Sequence, residues 1–259
     1  MKKIISIASC IAALFTFVSC DWFKLDNLDA WDAQVEGRII DKATNQPVQL
    51  EQGSNLTVYE LYGAQYDHTN QEGEKGWDGH TAINWHVKNN GTYVNKLTFA
   101  GKYEMDTKNN NFTSDVTSFE LKSGSNTVDF YVTPYLRINN PKVSYAGGKI
   151  NVTCDVEIAV AGTKINRVEV CVFPDRWVRH SQNNCSRDPG SYVVNPTGTS
   201  FSLSVDTALA ANATEFQYQR AHYIRIAALG QNPKNSSNMY NYSPVYKLEN
   251  GTITEVTDW

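Results

Sequence analysis

The sequence predicts an all-β protein built as two β-sandwiches in tandem. Short runs in which apolar and polar residues alternate recur along the chain, and clusters of Gly, Asn, Pro and Ser separate them. No long stretch with helical periodicity interrupts these runs. Once a leader is set aside, the remainder of the 259 residues is long enough for two domains of ordinary size.

The amino-terminal segment has the pattern of a bacterial lipoprotein signal over residues 1–20. A basic Lys2-Lys3 pair precedes an almost wholly apolar run, and Ser19-Cys20 closes the segment. The apolar run is shorter than the roughly 18 residues that a membrane-spanning helix needs, which favours a cleaved signal. We therefore expect a lipid on Cys20 to be the membrane anchor, with residues 21–32 as a tether behind it. The alternative is an ordinary secretory signal that is cut near Ser19.

The first sandwich is predicted over residues 33–133. Residues 33–40 alternate between apolar and polar types, and the turn-rich residues 41–47 follow them. A long polar and aromatic loop is predicted over residues 62–80. The remaining strand patterns of this sandwich occupy residues 56–61, 85–88, 91–99 and 119–132.

The second sandwich is predicted over residues 134–259, with a short C-terminal tail. The boundary is placed at Thr133-Pro134, because proline cannot donate a hydrogen bond inside a sheet and holds the preceding residue extended. Residues 222–228 alternate over their whole length and resemble a strand near the end of a fibronectin type III sandwich, which implies an immunoglobulin-like fold. The predicted strands are residues 150–160, 165–173, 200–205, 223–229 and 244–248.

Composition excludes several classes of partner and activity. The formal net charge is −4, so no basic field is available to attract nucleic acid. No second long apolar run follows Cys20, so the body of the protein is not expected to cross a membrane. Metal-hydrolase, nucleotide-binding and serine-hydrolase signatures are absent, and we expect no enzymatic activity, no cofactor and no metal site. A carboxylate pair for glycoside hydrolysis leaves no spacing pattern in a sequence and stays an alternative.

Three cysteines remain beyond the lipid-carrying position. Cys154 alternates in register with apolar neighbours, which predicts a buried free thiol. Cys171 is in the opposite register on its strand, and Cys185 lies in the polar loop that follows. A disulfide between Cys171 and Cys185 is the preferred pairing, and two free thiols are the alternative. A metal site formed by these two cysteines with His180 is disfavoured.

The long loop and the strand after it hold more aromatic and acidic side chains than a turn requires. Sugar rings have apolar CH faces bordered by hydroxyl groups, so flat aromatic rings with carboxylate or amide neighbours suit them. The alternatives are that Trp77 and Trp85 belong to the core of the first sandwich and that the acidic residues bind calcium. The candidate glycan-binding residues of this region are Tyr62, Tyr66, Trp77, Asp78, His80 and Trp85.

A further candidate lies in the loop that begins at Pro174. Trp177 stands beside Arg176 and Arg179, so it could contact a glycan or a partner protein. Packing between the two domains is the alternative role for this side chain.

Residues 35–48 carry a resemblance to a known domain family. Their sequence, Val-Glu-Gly-Arg-Ile-Ile-Asp-Lys-Ala-Thr-Asn-Gln-Pro-Val, resembles the opening hairpin of carboxypeptidase regulatory-like domains. That resemblance implies a transthyretin-type β-sandwich for the first domain. The family usually has glycine where Asn45 stands, and asparagine also tolerates the left-handed backbone angles of such a turn.

The whole mature chain is similar to the two-domain lipoproteins of the DUF3823 family. Besides the leader and the opening hairpin, the resemblance rests on residues 89–103 and on the junction over residues 129–138. Members of that family are typically encoded beside SusC/SusD-like outer-membrane transporter pairs in gut bacteria. The resemblance therefore implies a context of surface glycan capture and uptake, and it carries no established site residue onto this sequence.

These observations predict a non-catalytic lipoprotein of the outer membrane that binds a glycan or polysaccharide as an accessory to a SusC/SusD-like transporter. The cell surface is the expected location, and the periplasmic leaflet is the alternative. The rival hypothesis is a structural or assembly module that spaces or docks other surface proteins. Exposed tryptophans at positions 77, 85 and 177 favour the glycan hypothesis, and burial of all three favours the spacer.

Overall fold

The computed structural model describes residues 30–51, 54–61, 82–233 and 239–259. Residues 32–259 form one compact unit. The prediction of an all-β protein is confirmed, because strands make up nearly all of the regular structure in these ranges. The regular helical structure described is a 3-10 turn at Ala210–Asn212 that continues into a one-turn α-helix at Ala213–Phe216.

The amino-terminal half forms a sheet in which β1 is central. Strand β1 pairs antiparallel with β5 and parallel with β9 and β10. The order along the sheet is β7-β10-β1-β5-β4-β3-β6-β8. The strands are β1 (Ala33–Asp41), β2 (Gln46–Pro47), β3 (Ser54–Leu61), β4 (Ala82–Val87), β5 (Thr92–Thr98), β6 (Gly101–Asp106), β7 (Phe112–Thr113), β8 (Ser118–Leu121), β9 (Gly124–Thr127) and β10 (Phe130–Pro134).

The turn between β1 and β2 has the backbone that the sequence predicts. Asn45 has a φ of 56°, which is the left-handed conformation expected where related hairpins have glycine. The backbone N–H of Asn45 donates to the carbonyl of Asp41 at 2.8 Å and closes the turn.

Trp85 on β4 lies at the centre of the first hydrophobic core. Its side chain is 2% exposed. The ring centroids of Tyr93 and Phe119 each lie 5.7 Å from that of Trp85, and the Tyr103 centroid lies at 6.0 Å. Alternation along the strands places these rings on one face of the sheet, where their burial stabilises this half.

The carboxy-terminal half consists of two sheets that face each other across a second core. One sheet has the order β11-β12-β15, and the other has the order β14-β13-β16-β18-β19 with β17 beside β16. The core between the sheets includes valines of β12 and β13 and isoleucines of β16. The strands are β11 (Leu136–Ala146), β12 (Lys149–Ile158), β13 (Lys164–Phe173), β14 (Tyr192–Val194), β15 (Ser200–Asp206), β16 (His222–Gln231), β17 (Met239–Tyr242), β18 (Tyr246–Glu249) and β19 (Thr252–Glu255).

Four strands of this half are missed by sequence analysis, namely β11, β14, β17 and β19. Strand β11 contains Pro141 and a positive φ of 50° at Asn140, and its register with β12 shifts at this point. Its position at a sheet edge tolerates the proline. The segment predicted as a C-terminal tail contains β19, which pairs with β18 across an Asn250-Gly251 turn. The residues of the two cores lie on either side of Pro134 in the sequence. Independent folding of the two halves stays a prediction, and so does the assignment of each half to a particular sandwich family.

The cysteines correct one prediction. Cys154, Cys171 and Cys185 are all buried free thiols, so the prediction for Cys154 is confirmed and the proposed Cys171–Cys185 disulfide is not formed. Because side chains alternate across a strand, Cys171 belongs to a cluster on the outer face of its sheet, whereas Cys185 packs in the core between the sheets. Burial raises the pKa of all three thiols, that of Cys154 to about 11.

A buried arginine joins the two halves. Arg225 on β16 is fully buried, with its guanidinium carbon 4.4 Å from the centroid of the Tyr242 ring. It donates to the carbonyl of Leu50 at 2.6 Å, to that of Asn89 at 3.2 Å and to that of Ser243 at 2.8 Å. Burial lowers the pKa of Arg225 to about 10, which still leaves the guanidinium charged near neutral pH.

Further polar contacts extend this junction. The side-chain amide of Asn111 donates to the carbonyl of Tyr240 at 3.0 Å, and the amide of Asn241 donates to the carbonyl of Asn111 at 2.9 Å. The hydroxyl of Tyr242 donates to Glu51 at 2.9 Å. These reciprocal bonds connect residues more than 100 positions apart, so the described parts of the two halves meet in a specific and hydrogen-bonded interface.

Candidate functional site

An open cleft lies at one end of the carboxy-terminal half. Its volume is about 680 Å³. Residues from separate parts of the chain form it: the end of β11, the loop after β15, the helical turn and the segment after it, the start of β16 and the β18–β19 turn. The lining residues are Tyr145, Thr207, Ala208, Phe216, Tyr218, Gln219, Arg220, His222, Leu248, Glu249, Asn250 and Gly251.

Aromatic rings supply much of the apolar surface of the cleft. Tyr218 is 61% exposed, although large hydrophobic side chains of this size are usually covered. Phe216 and Tyr145 are half-buried on the same cleft. An exposed ring beside partly covered rings offers flat apolar faces that can stack against another flat molecule.

A buried carboxylate orients the histidine on the cleft. Glu215 is fully buried, and its Oε1 lies 2.6 Å from Nδ1 of His222. Its Oε2 accepts a hydrogen bond of 2.7 Å from the side-chain amide of Asn184. Phe216 flanks the imidazole, with ring centroids 4.7 Å apart. The bond with Glu215 thus fixes the orientation of an imidazole that is itself only 7% exposed.

The rim of the cleft is polar. Arg220, Gln219 and Asn250 are exposed, and together they offer guanidinium and amide groups that hydrogen-bond to hydroxyl or carboxylate oxygens. Glu249 also lies on the rim, where Nζ of Lys247 holds its carboxylate at 3.0 Å. The Asn250-Gly251 turn between β18 and β19 has φ angles of 50° and 76°, which matches the left-handed turn typical of tight hairpins.

A second concavity of about 360 Å³ lies at the junction of the two halves. Two of its charged residues, Arg137 and Asp41, are paired with each other: Nη2 of Arg137 donates to Asp41 at 3.0 Å, and Nη1 donates to Glu157 at 2.6 Å. Burial acts to raise the pKa of Asp41, but the bonds from Arg137 and from the backbone N–H of Ala43 outweigh it, and the pKa is lowered. Because its aromatic lining residue, Tyr242, is only 5% exposed, this groove offers no free ring face.

The described ranges hold neither a metal cluster nor a spanning helix. Within them, no group of three or more His, Cys, Asp or Glu side chains is arranged to hold a metal ion. The same ranges contain no helix with the length and apolar character that crossing a bilayer requires.

Comparison with known families identifies the amino-terminal half. Residues 33–133 match the N-terminal domain of a protein family of unknown function, DUF3823. The amino-terminal half is therefore similar to the N-terminal domain of the DUF3823 family. The family match begins and ends at the boundaries that the sequence predicts for the first domain. No curated protein matches the chain.

Solved structures extend the similarity over most of this chain. A Bacteroides uniformis protein described as a "putative carbohydrate binding protein" is 27% identical, covers 87% of this chain and 100% of its own, and has a TM-score of 0.70. DUF3823 proteins of Parabacteroides merdae and Bacteroides ovatus are 22% and 16% identical. The Parabacteroides merdae protein covers 85% of this chain and 100% of its own, with a TM-score of 0.64. The Bacteroides ovatus protein covers 83% of this chain and 97% of its own, with a TM-score of 0.60. Both show a shared fold.

Most of the sequence-predicted site residues fall outside the described ranges. This applies to the lipidation candidate Cys20 and to the loop candidates Tyr62, Tyr66, Trp77, Asp78 and His80. Their proposed roles stay predictions.

Two predicted tryptophans can be placed. Trp85 contradicts its predicted role, because a side chain that is 2% exposed cannot stack on a glycan, and the alternative of a core residue is the one observed. Trp177 is half-buried, and its ring lies 5.9 Å from that of Trp259 at an interplanar angle of 45°. The guanidinium of Arg176 covers Trp177 at 5.5 Å. The structure does not bring Trp85 and Trp177 into one aromatic platform.

Sequence analysis missed the aromatic cleft. Tyr145 lies more than sixty positions before Phe216 and Tyr218 in the sequence, so no local motif contains all three rings. The available signal was weak: an aromatic residue, Tyr218, in a polar segment that matches no strand pattern.

Proposed function

We propose that this protein binds carbohydrate without acting on it chemically, and that the aromatic cleft is the binding site. The observation that carries the proposal is the exposed ring of Tyr218 among the guanidinium and amide groups of Arg220, Gln219 and Asn250. Sugar rings offer an apolar face for stacking and hydroxyl groups for hydrogen bonds, which this combination matches. The description of the Bacteroides uniformis relative supports the same ligand class.

The carboxylates at the cleft favour binding over hydrolysis. Most glycoside hydrolases place two carboxyl groups on either side of the bond that is cleaved. Among the described lining residues, Glu249 is the one acidic side chain, and Lys247 holds it. Glu215 behind the cleft is fully buried and already hydrogen-bonded to His222 and Asn184.

The proposed role in the cell is that of a lipid-anchored outer-membrane protein at the cell surface, where it assists a SusC/SusD-like transporter. One stacked ring contributes on the order of 1 kcal/mol, so a single site should bind near the millimolar range. Many anchored copies on one membrane can engage the same polymer, and avidity then replaces the strength of a single site.

Replacing Tyr218 with alanine tests the site. We expect the wild type to be retarded by at least one polysaccharide in affinity electrophoresis against a panel of plant and microbial polymers. Tyr218→Ala should weaken this retention about fivefold, because the stacking face is lost. The unfolding midpoint should stay near that of the wild type, since the ring is mostly exposed.

The matched control for this variant is Tyr131→Ala. Tyr131 on β10 is 54% exposed and does not line the cleft, so its removal should leave retention unchanged. Equal retention of Tyr218→Ala and the wild type would place the glycan site elsewhere.

Replacing Cys20 with alanine tests the anchor. The lipoprotein pattern predicts that Cys20→Ala moves the protein from the membrane fraction to the soluble fraction after washing without detergent. Cys154→Ala is the control, because it removes a buried thiol and leaves the lipidation site intact. Membrane retention of Cys20→Ala at the wild-type level would refute lipid anchoring at this residue.

The spacer hypothesis is supported by a different observation, the hydrogen-bonded junction around Arg225. A module that positions other proteins benefits from domains held in one arrangement, and buried polar contacts provide specificity of this kind. If no polysaccharide in the panel retards the wild type, this function replaces carbohydrate binding.

A further inference from the structure

We infer that the cleft selects acidic sugars, in which a carboxylate is attached to the pyranose ring as in a uronate. The inference rests on the proposed carbohydrate-binding function and adds the ligand's charge to it. The guanidinium of Arg220 lies over the Tyr218 ring, with its carbon 5.8 Å from the ring centroid, so a sugar that contacts the tyrosine also lies within reach of the guanidinium.

Within the described parts of the chain, the guanidinium of Arg220 uses only a few of its N–H donors. Its side chain is 36% exposed, and Nη2 lies 3.3 Å from the backbone oxygen of Glu215 and 3.5 Å from its carboxylate. These are the hydrogen bond and ion pair that the Arg220 side chain makes within the described parts of the chain. A guanidinium carries five N–H donors in a planar fork, so most of them remain for a ligand.

Glu215 forms an ion pair with Arg220, but this contact is longer than the hydrogen bonds that the same carboxylate accepts. Its carboxylate accepts shorter bonds, 2.6 Å from His222 and 2.7 Å from Asn184, and these hold it below the cleft surface. The contact with Arg220 is the longest of the three, at 3.5 Å. Glu215 therefore fixes the position of Arg220 from the buried side. The guanidinium N–H groups that do not contact Glu215 are presented to the cleft.

The opposing charge on the rim is compensated. Glu249 could repel an acidic ligand, but Nζ of Lys247 lies 3.0 Å from its carboxylate. A carboxylate ligand suits the fork of Arg220 because two parallel N–H donors match its two oxygens. Such charge-assisted bonds are stronger than the bonds that a neutral hydroxyl group forms with the same donors.

The test compares acidic polysaccharides with uncharged forms of the same backbone. The probes are polygalacturonate, alginate and hyaluronan, each beside its carboxyl-reduced counterpart. The full-length protein is kept in a polyoxyethylene detergent, which has no sugar headgroup to compete. We expect at least one acidic polymer to bind about tenfold more tightly than its reduced form, with the preference declining as salt is raised.

Variants at position 220 assign the preference to this side chain. Arg220→Gln should bind the acidic and reduced forms equally, and Arg220→Lys should keep part of the preference because it retains the charge without the fork. Arg38→Gln removes an exposed arginine of the first half and should leave the preference intact. The unfolding midpoint of each variant is measured to confirm that it folds.

The outcomes separate this inference from the function on which it rests. Reduced polymers that bind as tightly as acidic ones, or a preference that survives Arg220→Gln, would overturn the acidic-sugar inference and leave carbohydrate binding in place. Absence of binding to these probes and to every neutral polymer of the panel would overturn both.

Discussion

Arg225→Met is expected to lower the free energy of unfolding by about 3 kcal/mol. The substitution keeps an unbranched side chain of similar length and removes the guanidinium. The carbonyl oxygens of Leu50, Asn89 and Ser243 then lose a donor in a site that water does not reach. Each buried acceptor left without a partner costs about 1–3 kcal/mol, and the Asn89 carbonyl loses least because the N–H of Leu50 also donates to it. Urea denaturation of the wild type and the variant measures the difference.

Two further variants separate charge from geometry at this position. Arg225→Lys keeps a positive charge but cannot reach three carbonyls with one planar group, so its stability should fall between those of the wild type and Arg225→Met. Arg38→Met is the surface control, and its unfolding curve should stay close to that of the wild type because Arg38 makes an exposed ion pair with Asp129. If Arg225→Met is as stable as the wild type, the cost of burying the guanidinium offsets its hydrogen bonds, and Arg225 does not stabilise the junction.

Trp85→Ala is expected to lower the free energy of unfolding by about 4 kcal/mol. The indole is 2% exposed and packs against Tyr93, Tyr103 and Phe119, so its removal leaves a cavity in the first core. The loss combines the missing hydrophobic transfer with the cost of an unfilled volume. Thermal or urea unfolding followed by circular dichroism measures it.

Trp85→Phe and Trp177→Ala serve as comparisons. Among the described residues, the buried indole Nε1 of Trp85 has no hydrogen-bond partner, so phenylalanine removes an unsatisfied donor as well as part of the ring. Trp85→Phe should therefore cost much less than alanine at the same position. Trp177 is half-buried, and its replacement by alanine should cost about 1 kcal/mol. Wild-type stability of Trp85→Ala, combined with lost polysaccharide retention, would contradict the core assignment and restore the predicted glycan role.

Local alternation predicted most strands of the second half and several of the first. The predicted strand at residues 33–40 corresponds to Ala33–Asp41, and that at 165–173 corresponds to Lys164–Phe173. In both strands apolar residues on the core-facing side alternate with polar residues, and this period of two is visible in the sequence. In the strand Lys164–Phe173 the second face is also buried, which the residue types do not reveal. The edge strand Leu136–Ala146 lacks a clean alternation and contains a proline, and it was missed for that reason.

The cysteine prediction shows where alternation alone is insufficient. The register of Cys171 correctly indicated that it shares a face with Glu169, and its Sγ lies 3.7 Å from Oε1 of that residue. That face was expected to be accessible, but residues such as Val178 and Tyr242 cover it and bury the thiol. Cys185 is drawn into the other core, so no disulfide can join the two.

The all-β class and the similarity of the first half to the DUF3823 N-terminal domain could be recognised from the chain alone, because they depend on patterns within a few neighbouring residues. The repeated alternation, the proline at position 134 and the turn at Asn45 are of this kind. The roles of Trp85, Arg225 and the aromatic cleft emerged only in three dimensions. Whether Trp85 belongs to the core or to the surface depends on the strands that pack around it. Arg225 lies on an alternating strand, and it joins the two halves only because carbonyl groups of the first half surround it. The cleft depends on contacts between segments from Tyr145 to Gly251, and contacts across such separations leave no spacing in a single sequence.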